Sequence, residues 1–135
     1  MFVALNTAMS IEVALYDRLN DTSITALVGT NIYPDDPAET TGWPFLVYRC
    51  ELQEQVVALT GLTVLAHYVV TVDVWAKSVA GRRAILEAVK VRMGGFQGGD
   101  IQLALLIGVQ PEQLGSEEEG DIYHAAMTFS VWFSG

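Results

Sequence analysis

The side chains able to do chemistry in this sequence are few and scattered. They are His67 and His124, the single Cys50, a glycine-rich run Gly94-Gly95-Phe96-Gln97-Gly98-Gly99, and an acidic run of Glu117, Glu118, Glu119 and Asp121. The two histidines fall on different predicted strands, without ligand-like spacing, and read as polar positions on solvent or interface faces. Cys50 sits on the apolar side of its predicted strand and reads as a small buried hydrophobe. One cysteine excludes an intramolecular disulfide and a Cys-rich zinc site. No Ser-His-Asp set or Gly-x-Ser-x-Gly elbow is visible. The glycine run has the wrong polarity for a phosphate loop. Such loops enter a helix at its N-terminus, whereas these glycines follow a helix, where free carbonyls repel anions. It reads as a helix stop and flexible connection. The acidic run lacks the alternate ligand spacing of a calcium loop. It reads as a solvated loop, with a repulsive lining or a dock for a basic partner as its functional alternative. No catalytic residue, metal ligand or cofactor site is assigned, and the chain reads as a non-enzyme.

These residues belong to a chain of 135 residues, a length suited to one domain, 1–135, with residues 1–9 as a candidate N-terminal extension. Hydrophobic residues make up 51% and charged residues 17%, against a usual charged share of about a quarter. So apolar and charge-poor a surface predicts that other subunits cover part of it. The net charge of −9 argues against gripping DNA or anionic lipid by bulk charge. The N-terminus lacks the basic start of a signal peptide, and the longest apolar stretch, Leu103 to Val109, is far short of the ~20 residues of a membrane helix. A soluble protein made in a cytoplasm is expected.

Several elements must position the polar groups. Leu5, Ala8, Ile11, Leu15 and Leu19 recur at helical spacing, and Asp21, Thr22 and Ser23 can cap a short turn closed by Gly29. Ile32 to Pro44 reads as an exposed loop. Phe45 to Gln53 alternates as a strand, and so does Val64 to Ala76, which at ~3.3 Å per residue spans roughly 40 Å. Ser78 opens a second helix through Met93, with Val79, Arg82, Ile85, Leu86, Val89 and Met93 as its stripe. A third strand puts Ile101, Leu103, Leu105, Ile107 and Val109 on one face. Pro111 to Asp121 reads as an acidic loop, and Ile122 to Phe133 as the last strand. The expectation is an α+β fold: a largely antiparallel four-stranded sheet with two main helices packed on one face. Trp43, Trp75 and Trp132 lie at strand ends or on the weaker face and are candidate subunit-interface anchors.

The order of landmarks resembles the tail completion, or tail terminator, proteins of long-tailed bacteriophages. An N-terminal helix leads to Leu27-Val28-Gly29 and Ile32-Tyr33-Pro34, then Trp43-Pro44-Phe45 with Val47-Tyr48. Leu59-Thr60-Gly61 precedes the long strand, which ends in Val72-Asp73-Val74-Trp75-Ala76. The chain closes with Ile122-Tyr123-His124, Phe129 and Val131-Trp132. The likeness runs from about Ser10 to the end; the glycine connector and the triple-glutamate loop stand outside it.

The resemblance implies a virion protein of the tail or neck, assembled in the host cytoplasm. It implies a homo-oligomeric ring, usually hexameric, that sits on the last ring of tail-tube protein, stops polymerisation and presents the surface for head joining. Its partners would be the tail tube protein and a head-completion or connector protein, with no membrane and no cofactor. DNA would pass through without tight binding. On that reading Glu51, Glu54, Glu117, Glu118, Glu119 and Asp121 are candidates for a channel lining or partner contact. Two alternatives stay open: a head-completion or connector adaptor of the neck, and a small α+β ligand-binding module or enzyme with a pocket between helix and sheet.

Overall fold

Helix α1 (Val3–Leu19) forms because Ile11, Leu15 and Leu19 repeat at four-residue steps, and all three are buried. Here the protein is described from a computed structural model covering residues 3–37, 42–57, 64–98, 101–116 and 120–134. Helix α2 (Thr22–Val28) starts at Asp21, whose carboxylate accepts from the Ser23 backbone N–H at 3.1 Å and from the Ser23 hydroxyl at 2.6 Å. These two bonds hold the Asp21 carboxyl below its ordinary pKa. Gly29 ends α2 at φ 63°, a conformation that favours glycine.

After α2 the chain departs from the expected loop. Ile32–Pro34 is a strand, β1, pairing in parallel with β2 (Phe45–Val57) through Ile32↔Leu46 and Pro34↔Tyr48. Three residues carry no readable alternation. Pro34 is tolerated because β1 is an outer strand, where a missing N–H breaks no ladder. Strand β2 reaches four residues beyond the expected Gln53, to Val57, pairing antiparallel with β3 (Val64–Ala76).

Helix α3 (Val79–Met93) is capped by the Ser78 hydroxyl, 3.0 Å from the Gly81 N–H. It is followed by β4 (Ile101–Ser116) and β5 (Gly120–Phe133). The acidic loop expected over Pro111 to Asp121 is therefore mostly strand, and its centre, 117–119, lies outside the described residues. Pro111 survives inside β4 for the same reason as Pro34 in β1.

The sheet has five strands in the order β1-β2-β3-β5-β4, mixed because of the parallel β1. This corrects the four-stranded antiparallel expectation, and α2 makes three helices instead of two main ones. The α+β class holds.

One sheet face packs on the helices. Leu46 and Tyr48 from β2, Val70, Val72 and Val74 from β3, and Met127, Phe129, Val131 and Phe133 from β5 form one cluster with Ile11, Leu15, Leu19, Ile24, Ile85, Val89 and Met93. Where α1 and α3 end, the helices close each other. Arg18 Nε donates to the Arg92 carbonyl at 2.9 Å, and Arg92 Nε donates to the Arg18 carbonyl at 2.8 Å. Each arginine thus satisfies a C-terminal carbonyl and complements the partner helix dipole. Arg18 also stacks 3.5 Å from the Phe96 ring centroid.

Strand β4 differs most from its reading. Register shifts between Ile101/Leu103 and between Leu106/Gly108 each insert one residue against β5. One extra residue exchanges the faces that follow it. Ile101, Ala104 and Leu106 join the core, whereas Leu105, Ile107 and Val109 are 44%, 59% and 43% exposed. The single apolar face read from Ile101 to Val109 is thus divided.

Candidate functional site

The second sheet face is formed by residues alternating with the core: Phe45, Val47, Arg49 and Glu51 on β2, Thr71, Asp73 and Trp75 on β3, and His124, Ala126, Thr128 and Ser130 on β5. Register places three polar groups together at one end. Asp73 Oδ1 lies 2.8 Å from His124 Nε2, and Asp73 Oδ2 lies 2.9 Å from Arg49 Nη2. A carboxylate only accepts, so His124 Nε2 carries a proton towards it. Asp73 is 5% and His124 8% exposed, so both have left water; the Arg49 side chain stays 60% exposed. Three strands are tied by one charged network.

An aromatic ladder covers this network. Trp43 meets Phe45 edge-on at 5.0 Å, Phe45 stacks on Trp75 at 6.1 Å, and Trp75 leans on the His124 ring at 4.2 Å. The Trp43–Pro44 peptide is cis, and Lys77 Nζ sits 4.3 Å over the Trp43 ring. With Asp35, Asp36 and Pro37 these aromatics line an open groove of about 370 Å³. At the other end His67 stacks on Trp132 at 4.5 Å, and its Nε2 is 2.5 Å from Ser130 Oγ. His67 Nδ1 lies 3.8 Å from a Glu54 carboxylate oxygen.

Of the aromatic anchors, Trp43 and Trp75 are brought together through Phe45, and Trp132 is at the opposite end. Trp43 is exposed; Trp75 and Trp132 are half-buried. Glu51 and Glu54 are exposed on β2, and Asp121 is placed opposite Gly115 in the β4–β5 pairing. Glu117, Glu118 and Glu119 lie outside the described residues. The two histidines, read as polar positions on solvent or interface faces, both lie on strands: His124 is buried and hydrogen-bonded to Asp73, and His67 is half-buried. Cys50 is half-buried against the core, and burial, with Glu12 and Asp35 nearby, pushes its thiol up to about 12. It is a poor nucleophile at neutral pH. Among the described residues no group of three His, Cys, Asp or Glu side chains is arranged to hold a metal ion.

Arg49 and Asp73 escaped notice in the sequence because each is an ordinary polar position on an alternating strand. Their meeting depends on strand register, which no local pattern encodes. The one readable signal was a carboxylate at Asp73 between Val72 and Val74, inside an otherwise apolar stretch.

The comparisons follow this architecture. Residues 13–134 match the model of the family described as Tail completion protein gp17. The chain belongs to that family. Its role is therefore structural, in the tail of a phage virion. The match covers the chain from within α1 to just past the end of β5. No curated protein matches the sequence. Among solved structures, the fold is similar to a chain of the virion of a native gene transfer agent particle. The TM-score is 0.59 at 22% identity, over 89% of this chain and 91% of that one. That likeness is one of fold. No described helix is long and apolar enough to cross a membrane.

Proposed function

We propose that this family member forms a ring on the end of the tail tube, stops tube growth and presents the surface that joins the filled head. The observation that carries the reading is the family match over residues 13–134. Two features of the fold support it. One sheet face and the outer part of β4 leave Trp43, Leu105, Ile107 and Val109 exposed, a surface suited to association. The polar network built on Asp73 ties β2, β3 and β5 together across that face. In the ring the chain works without catalysis. It assembles in the host cytoplasm, and its partners are further copies of itself, the tail tube protein and a head-completion or connector protein.

The acidic residues Glu51, Glu54, Glu117, Glu118, Glu119 and Asp121 are proposed to line the channel or its mouth, repelling phosphates so that DNA slides through. Six copies would place roughly fifty net negative charges about one axis. The test is electron microscopy of particles made without this protein. Overlong tubes, or tails that fail to join heads, are expected. Normal tails beside leaking heads would overturn the reading in favour of a head-side adaptor. Reversing Glu117, Glu118 and Glu119 to lysine should slow DNA ejection from intact particles, and unchanged ejection would remove the channel assignment.

A further inference from the structure

We propose that copies of this chain meet head-to-tail through two specific flanks: the α3–β4 side of one copy docks on the α1–β1 side of the next. The inference deepens the ring reading and rests on it. It begins with the distribution of basic residues. The chain has 7 lysines and arginines, and Lys77, Arg82, Arg83, Lys90 and Arg92 all fall in or beside α3. In the same layer, Ala84, Ala88, Val91 and Arg92 line a groove shared with Arg18, Asp21 and Ser23, so that side of α3 faces α1 and α2. Helical spacing then puts Val79, Arg83 and Lys90 on the opposite, outward flank. All three are exposed, and neither Arg83 nor Lys90 joins an ion pair among the described residues.

The other side of the molecule carries the opposite sign. Arg18 turns α1's inner side to α3, and the same spacing puts Glu12 and Tyr16 on its outer flank, where both are exposed. At the same edge of the sheet, just past β1, stand the exposed carboxylates of Asp35 and Asp36, which border the groove of the second face together with Arg49. Strand order fixes these flanks at opposite edges of the sheet, β1 at one and β4 at the other.

The β4 edge supplies the apolar part. Its first residues are covered: Gly95 N–H donates to the Ala104 carbonyl at 2.7 Å, and Ala104 N–H to the Phe96 carbonyl at 3.0 Å. From Leu105 onward no strand pairs with the outer edge among the described residues, and Leu105, Ile107 and Val109 are exposed there. Leu105 to Gln110 is therefore a short, uncharged, lysine-free length of open edge, bounded by Pro111, that a second chain can cover. Since β4 runs antiparallel to β5, and β5 runs parallel to β2 and β1, an unflipped second copy presents its β1 side antiparallel to β4, the commoner pairing sense. A second copy is the occupant that brings this acidic flank to this basic one. Two different complementary patches at opposite edges are what a closed heterologous ring requires.

The test is a charge-swap mixing experiment on the full chain, read by native mass spectrometry and light scattering, alone and on purified tail tubes. Variant A carries Arg83→Glu and Lys90→Glu; variant B carries Glu12→Lys and Asp36→Lys. All four positions are exposed, and circular dichroism confirms folding. Each variant alone juxtaposes like charges and should self-associate at least about tenfold more weakly than wild type. Mixing A with B should restore assembly with the two alternating, and the four-fold variant should assemble alone. If wild type assembles and A or B assembles equally well, or mixing fails to rescue them, this interface is overturned and the ring reading stands. If wild type stays monomeric both alone and on tubes, both fall together.

Discussion

Removing the Asp73 carboxylate tests whether the open sheet face is held by a buried network or merely decorated by polar residues. Its two arms are unequal. The His124 arm is 2.8 Å long between side chains that are 10% and 7% exposed. The Arg49 arm is 2.9 Å long but ends on a side chain 60% exposed. A hydrogen bond to a charged group contributes about 1.5–3 kcal/mol, and losing it here also strands a buried imidazole N–H. The exposed arm counts at most about 1 kcal/mol, because water replaces Asp73 at the guanidinium. Part of the loss is offset because a buried carboxylate no longer has to be desolvated. Asp73→Ala should therefore cost about 2–3 kcal/mol, and Arg49→Ala under about 1 kcal/mol. For a chain of this length that is a fall in Tm of roughly 8–12 °C for the first and under roughly 4 °C for the second. Asp73→Asn keeps an acceptor for His124 Nε2 and should fall between them. The assay is urea and thermal unfolding followed by circular dichroism, under conditions where all variants have the same oligomeric state. An Asp73→Ala cost under about 0.5 kcal/mol, or an Arg49→Ala cost equal to it, would refute the reasoning.

Two further predictions follow from groups on the helix side. Burial raises the Cys50 thiol from 9.0 to about 12, and burial with Glu12 raises the Tyr48 hydroxyl from 10.0 to about 12. A group whose pKa is raised on folding adds stability below its unfolded value and loses it as pH climbs through the folded one. Stability should therefore decline between about pH 9 and 12, and Cys50 should react far more slowly with a thiol reagent at pH 8 than it does in urea. Reaction at the same rate in both would contradict the burial argument. Arg18→Ala removes the bond to the Arg92 carbonyl and the stacking on Phe96, at a cost of about 1–2 kcal/mol in equilibrium unfolding. Arg18→Lys, which lacks the planar fork, should recover less than half of it.

Much of the fold was legible because its information is local. Ile11, Leu15 and Leu19 mark a helix by spacing alone, Ser78 marks the start of α3, and the alternation through Val70, Val72 and Val74 marks the core strand. What escaped reading depends on partners distant in sequence. Strand β1 is three residues that become a strand only because β2 lies beside them. The outward turn of Leu105 and Ile107 comes from two register shifts against β5, which the regular alternation of β4 conceals. The Arg49–Asp73–His124 network needs three strands in register, and its members lie 24 and 51 residues apart.

The same distinction explains why chemistry was absent from the sequence and association was not. Several polar side chains at the ends and faces of the elements are engaged within the fold. Asp21 and Ser78 cap helices, Arg18 and Arg92 close two helix ends, and Asp73 holds His124 and Arg49. Other charges are left outward. Arg83 and Lys90 lie along one flank, and Glu12, Asp35 and Asp36 along the opposite one. A catalytic site needs reactive groups that converge on one reacting atom. A ring needs the reverse: complementary groups kept apart on each subunit, so that they meet only when a second copy arrives.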